Sequence, residues 1–233
     1  MAASTSMGIY PDLTVEHIQN PNRLWAIPVL GAVVKGIILI PVFVWLYLLS
    51  IAWGVLIVIN SFVVLFSGHY WDPAYRLTLG FTRIYLRVML YFTGLTDRYP
   101  GFGLANDDPA IALEIAKPES PNRLWAVPIL GGLVKVVILI PYLVYLVVLQ
   151  YAAGIGIVIS SFWVLFMGRY PEAVYELTRD YIRVLLAEVV YITGLSDSYP
   201  SFRISMNHAG IKIALIVAVI LLWFVPAISG AGN

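Results

Sequence analysis

The chain contains no cysteine, and only 12% of its 233 residues carry a charged side chain. The missing cysteine excludes disulfide bonds, thiol catalysis and thiolate metal sites. Because a soluble domain carries about 25% charged residues, this low charge content indicates a membrane protein. The formal net charge of +1 gives no basic field that would attract nucleic acid. Residues 1–20 lack a basic segment followed by an apolar one, so no cleavable signal peptide is predicted.

The most informative feature that is present is an internal duplication. Pro-Asn-Arg-Leu-Trp-Ala occurs at residues 21–26 and at 121–126, and Thr-Gly-Leu occurs at 93–95 and at 193–195, both at an offset of 100 residues. A constant offset over a stretch this long indicates a duplicated domain rather than a solenoid repeat. The predicted organisation is an N-terminal polar segment (1–20), repeat 1 (21–105), a linker (106–120), repeat 2 (121–206) and a C-terminal transmembrane helix (209–228).

Residues 24–66 form an apolar stretch that holds one charged residue, Lys35. As one straight helix it would be more than about 60 Å long, twice the hydrocarbon core of about 30 Å. Two arrangements are open. The stretch either folds back as a hairpin of two short helices, broken at Pro28 or Pro41, or continues as one long helix after an interfacial segment. We favour the hairpin.

The stretch 74–95 is predicted to be an amphipathic helix. It either lies flat at the membrane surface or crosses back with its arginines buried against protein, and we favour the flat arrangement, since three arginines in one crossing would be costly. Arg76, Arg83 and Arg87 share one face of this helix. In the second copy the same face carries Glu176, Asp180 and Arg183, at spacings that allow ion pairs.

The sequence therefore predicts a mainly α integral membrane protein with two tandem helical repeats in the same orientation. Like charges recur at matching positions of both copies, so the positive-inside bias does not invert between them. Four short segments alternate between apolar and polar residues and predict an extramembrane β layer. These segments lie at 13–16, 102–104, 111–115 and 202–206.

The candidate functional residues are few. Arg23, Trp25, Arg123 and Trp125 are predicted to anchor the chain at the lipid headgroups, or to act as structural anchors. The pairs Arg83 with Asp97 and Arg183 with Asp197 are candidate structural ion pairs, and each aspartate is alternatively a turn residue that accepts backbone N–H groups. The three histidines, His17, His69 and His208, do not recur in the other copy. No catalytic residue, metal site or cofactor is predicted.

Several of these motifs resemble the bacterial DUF4389 family, a membrane domain of undescribed function. The resemblance is carried by Leu-Phe-Ser-Gly-His-Tyr at 65–70 and Thr-Asp-Arg-Tyr-Pro-Gly-Phe at 96–102, with counterparts at 165–171 and 196–202. The chain departs from the family pattern at Trp71, Gly101 and Ser201, where proline is usual. The resemblance implies a tandem pair of the family's fold and no activity.

The expected function is that of a non-catalytic accessory or scaffolding subunit in the bacterial inner membrane, multi-pass, in contact with lipids and with other membrane subunits or with itself. No nucleic acid partner is expected. The alternatives are a transporter or channel with its pathway between the repeats, because duplicated folds often bind substrate there, and a protein that shapes membranes.

Overall fold

The computed structural model describes residues 11–18, 21–105, 108 and 110–230. The remaining residues, which belong to the predicted N-terminal polar segment, the linker and the end of the chain, lie outside the described part. The described elements are β1 (Asp12–Val15), a 3-10 helix (Arg23–Ala26), α1 (Leu30–Ser67), α2 (Asp72–Thr93), β2 (Ile111–Glu114), α3 (Leu130–Met167), α4 (Glu172–Ile192) and α5 (Ala209–Gly230). The prediction of two tandem helical repeats, mainly α, is confirmed.

The predicted hairpin within residues 24–66 is wrong, because α1 is one continuous helix of 38 residues. Pro41 lies inside α1 with its side chain on the exposed surface, and the helix continues through it. The chain reverses only at Gly68, whose φ of 74° gives the left-handed conformation that ends α1 and whose N–H bonds to the carbonyl of Val64. The chain then returns as α2, which packs along α1.

The contact between α1 and α2 runs along one narrow stripe of α1. Leu39 and Leu46 of α1 pack with Ile84 and Val88 of α2. Farther along, the Trp53 ring stacks on Phe81 with the ring centres 5.0 Å apart. The opposite, much wider surface of α1 is apolar and exposed. By length and composition, α1 and α3 are both able to cross a membrane.

The sheet formed by the described residues has two strands, β1 and β2, paired antiparallel. The predicted segments 102–104 and 202–206 are not strands. Leu13 lies opposite Leu113, its counterpart in the other repeat. A residue can oppose its own counterpart in an antiparallel pair only at a two-fold axis, so a pseudo-two-fold axis passes through the sheet.

Reciprocal contacts extend this pseudo-symmetry to the helices. Arg83 donates a hydrogen bond to the Leu113 carbonyl (3.4 Å), and Arg183 donates one to the Leu13 carbonyl (3.1 Å). The Tyr75 hydroxyl donates to the Ile115 carbonyl, and that of Tyr175 donates to Val15. The segment that contains each strand therefore precedes one repeat and packs on the amphipathic helix of the other repeat, and the two segments pair with each other.

Helix α5 breaks the symmetry, because it packs against α3 and α4 of the second repeat. Ala153 and Gly156 of α3 are small and buried, and an added Cβ at Gly156 would contact Leu215 of α5 at 3.7 Å. The counterpart of Ala153 in repeat 1 is Trp53, whose indole occupies the matching space against Phe81. The substitution of small residues in the second copy thus makes room for α5.

Candidate functional site

The Pro-Asn-Arg-Leu-Trp motif forms a turn that joins the start of each repeat to its end. The Asn22 side chain accepts a hydrogen bond from the Leu24 N–H (3.0 Å), and the Asp97 carboxylate accepts one from the Asn22 N–H (2.8 Å). The second repeat repeats both contacts, with Asp197 accepting from the Asn122 N–H at 2.7 Å. Each aspartate therefore links the loop after the amphipathic helix to the beginning of the long helix.

A strained turn then directs the chain into the long helix. Val29 has φ 63° and ψ −55°, and the Leu30 N–H bonds to the Pro28 carbonyl at 2.7 Å, which defines a γ-turn with positive φ. Ile129 repeats this geometry. The turn folds the 3-10 helix back onto the first turn of α1, so that the Trp25 carbonyl faces Gly31.

Lys35 and Lys135 lie buried at the ends of the amphipathic helices. Lys35 Nζ donates to the Tyr91 carbonyl at 3.0 Å and lies 5.2 Å from the centre of the Tyr91 ring. Lys135 makes the same two contacts with Tyr191, and its Nζ lies 3.9 Å from an Asp197 oxygen. A cation at the carboxyl end of a helix is favoured by the helix dipole. Each lysine is therefore engaged by protein rather than surrounded by lipid.

The structure places the predicted anchor arginines at the carboxyl ends of the long helices of the opposite repeat. A Cβ added to Gly168 would lie 2.6 Å from Arg23 Nη2, and one added to Gly68 would lie 2.6 Å from Arg123 Nη2. Trp25 packs at a partly buried position 6.4 Å from the Tyr91 ring. Each anchor motif thus contributes to the contact between the repeats, and Trp125 lies at the equivalent position of the second motif.

The predicted pairs of Arg83 with Asp97 and Arg183 with Asp197 are not among the ion pairs formed by the described residues. Arg83 lies midway along α2 and faces β2, whereas Asp97 lies beyond the end of α2, beside Asn22. The arginine and the aspartate therefore serve different contacts.

A cavity of about 70 Å³ lies between the two repeats. Its polar lining groups come from both repeats and are Asn22, Lys35, Thr93, Asp97, Ser160, Ser161 and Tyr170. The Ser160 and Tyr170 side chains are buried. The space exceeds the roughly 10–15 Å³ that one water probe requires, so the groups that line it can be bridged by water or by a small polar molecule.

At the pseudo-equivalent place between the repeats, the counterparts of these polar groups have protein partners. The Tyr70 hydroxyl donates to the Thr193 carbonyl at 3.1 Å. The Asn60 side chain, in the position of Ser160, accepts a hydrogen bond from the Trp71 N–H at 2.8 Å. The counterpart of Trp71 is Pro171, which has no N–H. Repeat 1 thus combines an acceptor at Asn60 with an N–H at Trp71, whereas repeat 2 combines Ser160 with Pro171, which needs no acceptor.

We expect Asn60→Ser to destabilise the protein by about 1–3 kcal/mol, because the Trp71 N–H loses its acceptor in a partly buried place. Thermal unfolding in detergent measures the change. The matched control is the double variant Asn60→Ser, Trp71→Pro, which recreates the pair found in repeat 2. It should lose less stability than the sum of the two single variants, and strictly additive losses would contradict this account.

Four buried polar groups hold the start of α5 against α4. Lys212 is 1% exposed, and its Nζ contacts Glu176 (3.0 Å), Asp180 (3.3 Å) and the Ser205 carbonyl (2.9 Å). In repeat 1 the positions of the two carboxylates hold Arg76 and Gly80. The two acids thus belong to the docking of α5.

Glu176 has further hydrogen-bond partners beside Lys212. Asn207 lies 3.3 Å from one carboxylate oxygen, and a His208 ring nitrogen lies 3.5 Å from the other. Burial acts to raise the pKa of Glu176, but the hydrogen bonds from these groups outweigh it and hold the pKa below its usual value of 4.5. Glu176 therefore stays ionised at neutral pH and balances the buried lysine.

The sequence predicts that Glu176 and Asp180 lie on an ion-pairing face, but it does not predict Lys212 as their partner. The signal was present, because Lys212 is the charged residue that interrupts the apolar tail and the acids replace Arg76 and Gly80. Of the other histidines, His17 packs on Tyr175 and His69 contacts the Ser67 carbonyl. Within the described ranges, no group of three or more His, Asp or Glu side chains is placed to hold a metal ion.

Comparison with known proteins identifies one family. The model of a family described as a domain of unknown function, DUF4389, matches residues 30–103 and again residues 131–203. Each match begins in the long helix and ends in the loop that follows the amphipathic helix. No curated protein and no solved structure matches the chain. Since the two matches together span more than half of its length, the chain belongs to the DUF4389 family and carries two tandem copies of the domain.

Proposed function

We propose that the protein is a non-catalytic membrane protein of the bacterial inner membrane that acts as an accessory or scaffolding subunit. The proposal rests on the hydrogen-bond partners of the buried lysines. Lys35, Lys135 and Lys212 each bind acceptors of this chain. They hold helices and loops together, which is a structural role.

The exposed surface supports a membrane location. Large apolar side chains cover the outer faces of α1 and α3 over their whole length, and examples are Leu30 (57% exposed), Tyr47 (68%) and Phe66 (78%). A face this large and apolar marks contact with lipid or with another membrane protein. Lipids, partner subunits or further copies of the chain are the partners that suit it.

Gentle purification from the native membrane, followed by mass measurement of the intact particle and its components, tests the accessory role. We expect other membrane subunits in a fixed ratio, or a defined homo-oligomer. The Asn60→Ser, Trp71→Pro variant is a suitable control, because it alters an internal contact and should leave the particle unchanged. Recovery of an isolated monomer under the mildest conditions would contradict the proposal.

Membrane shaping is a second candidate, and the length of α1 and α3 favours it. Each helix has 38 residues, which is about 57 Å at 1.5 Å per residue and almost twice the hydrocarbon thickness. Apolar helices that enter one leaflet expand it relative to the other. Purified protein added to liposomes should then yield smaller or tubular vesicles as the protein-to-lipid ratio rises. Unchanged vesicle diameter would exclude this role.

A further inference from the structure

The two-stranded sheet lies over the middle of α2 and α4. Arg83, which contacts β2, is the twelfth residue of α2, and Arg183, which contacts β1, is the twelfth residue of α4. If α2 and α4 crossed a bilayer, the sheet would lie at half depth. The exposed side chains on and beside it are polar and include Thr14, Glu16 and Glu114, and charged side chains are costly in hydrocarbon. Helices α2 and α4 therefore do not cross.

Helix α1 lies on the side of α2 that faces away from the sheet. At 100° per residue, Ile84 and Val88 lie roughly 100–140° from Arg83 around the axis of α2, and both pack against α1. Because α1 runs antiparallel along α2, the axes of the two helices make the same angle with the membrane surface. The same holds for α3 and α4. The molecule thus has a polar side at the sheet and an apolar side at α1 and α3.

The pseudo-two-fold axis relates the directions of the long helices. The end of α1, at Gly68, lies beside Arg123, which precedes α3, and the end of α3, at Gly168, lies beside Arg23, which precedes α1. Helices α1 and α3 therefore run antiparallel. Two helices related by a two-fold axis are antiparallel only when both are perpendicular to that axis, so α1 and α3 are perpendicular to it. Crossing helices would place the axis in the membrane plane and invert the repeats. Helices parallel to the surface place the axis along the membrane normal and keep both repeats the same way up.

We infer that the two repeats insert into one leaflet, with α1 and α3 lying parallel to the membrane surface in the hydrocarbon and the sheet in water. This inference rests on the membrane location proposed above and replaces the multi-pass arrangement with one in which both repeats expose their loops on one side. The recurrence of like charges in the two copies, such as Arg23 with Arg123, agrees with equal orientation. The partner of the apolar face is therefore the acyl chains of a single leaflet.

Cysteine labelling tests the inference directly, because the chain has no cysteine of its own. The variants His69→Cys and Arg169→Cys place a thiol at equivalent exposed turns after α1 and α3, and Glu114→Cys places one on the sheet. Sealed vesicles of both orientations are treated with a charged maleimide. All three thiols should react about tenfold faster from one and the same side, because the charged reagent does not cross hydrocarbon readily.

Depth measurement gives an independent readout. Val33, Val44 and Val55 are exposed positions spaced 11 residues apart, so they share one face of α1. Cysteine variants at these three positions, carrying a nitroxide, should report similar depths from their accessibility to oxygen and to a polar nickel reagent. An upright helix would separate neighbouring sites by about 16 Å in depth.

The outcomes separate this inference from the membrane location itself. Reaction of the His69→Cys and Arg169→Cys thiols from opposite sides, or a depth gradient along α1, overturns the in-plane arrangement and leaves the membrane location intact. Equal and high exposure of all the α1 sites to the nickel reagent overturns both. Reaction from one side with equal depths along α1 supports both.

Discussion

Lys212→Met should destabilise the protein by about 3 kcal/mol and release α5 from α3. The reason is that the substitution leaves the Glu176 carboxylate buried without its cation, and breaking a buried ion pair from one side costs about 3–5 kcal/mol. The lower end of that range is expected because the second carboxylate, Asp180, still has a cation beside it: the Arg179 guanidinium lies 3.3 Å away. Thermal unfolding in detergent measures the loss.

Release of α5 has its own optical signal. The Trp223 ring lies 5.8 Å from the Tyr151 ring of α3, so its fluorescence should change when α5 separates from α3. Lys117→Met is the matched control, because Lys117 pairs with Asp72 at the exposed surface. Such surface pairs contribute about 0–1 kcal/mol. Equal effects of the two lysine substitutions would contradict the assignment of Lys212 as the residue that holds α5.

Neutralising the carboxylate that lost its cation should restore stability. In the variant Lys212→Met, Glu176→Gln, position 176 carries no charge, and Asp180 keeps its ion pair with Arg179. We expect it to recover most of the loss seen for Lys212→Met. If it is no more stable than the single variant, the loss comes from packing of the lysine stem and not from charge.

The sequence was sufficient to predict the repeats and where most helices lie. Because the offset is constant, an element predicted in one copy is also predicted at the matching position of the other, and both copies fold alike. The alternation at 13–16 and 111–115 also marked the two strands that form. Their register needed the structure, because Leu13 faces Leu113 only through the arrangement of the whole molecule.

The error about residues 24–66 has a local cause. Pro41 is a candidate helix break because proline removes one backbone hydrogen bond. The stretch around it offers no turn residues with which to reverse the chain, and the nearest suitable group is Ser67-Gly68. A proline whose ring lies on the exposed side of a long helix is tolerated at the loss of one bond, so α1 continues to Ser67.

The contacts of the candidate site were beyond sequence reasoning for a different reason. Arg83 and Lys35 donate to backbone carbonyls, of Leu113 and Tyr91. A carbonyl is present at every residue and leaves no mark in the sequence. Charge pairing therefore suggested Asp97 as the partner of Arg83, whereas the fold brings Asp97 to the Asn22 N–H.

Gly131→Ala should be strongly destabilising, while Gly132→Ala, at the next residue, should be neutral or stabilising. A Cβ at Gly131 would lie 2.2 Å from the carbonyl oxygen of Trp125 and 2.7 Å from its carbonyl carbon, whereas one at Gly132 meets nothing within 4 Å. The first clash is with backbone, so the turn that contains Trp125 must move. Overpacking of this kind costs about 1–3 kcal/mol or more.

The opposite sign at Gly132 follows from helix propensity, because alanine in a helix is favoured over glycine by about 0.5–1 kcal/mol. Repeat 1 supplies the replicate pair, with Gly31→Ala as the clash (2.3 Å from the Trp25 oxygen) and Gly36→Ala as the open position. Thermal unfolding of the four variants measures both signs. The turn at Trp25 also packs on α3 of the other repeat, so Gly31→Ala should loosen the contact between repeats as well. If all four alanines had the same effect, the close approach of the Trp25 and Trp125 carbonyls to the long helices would not be what holds these turns in place.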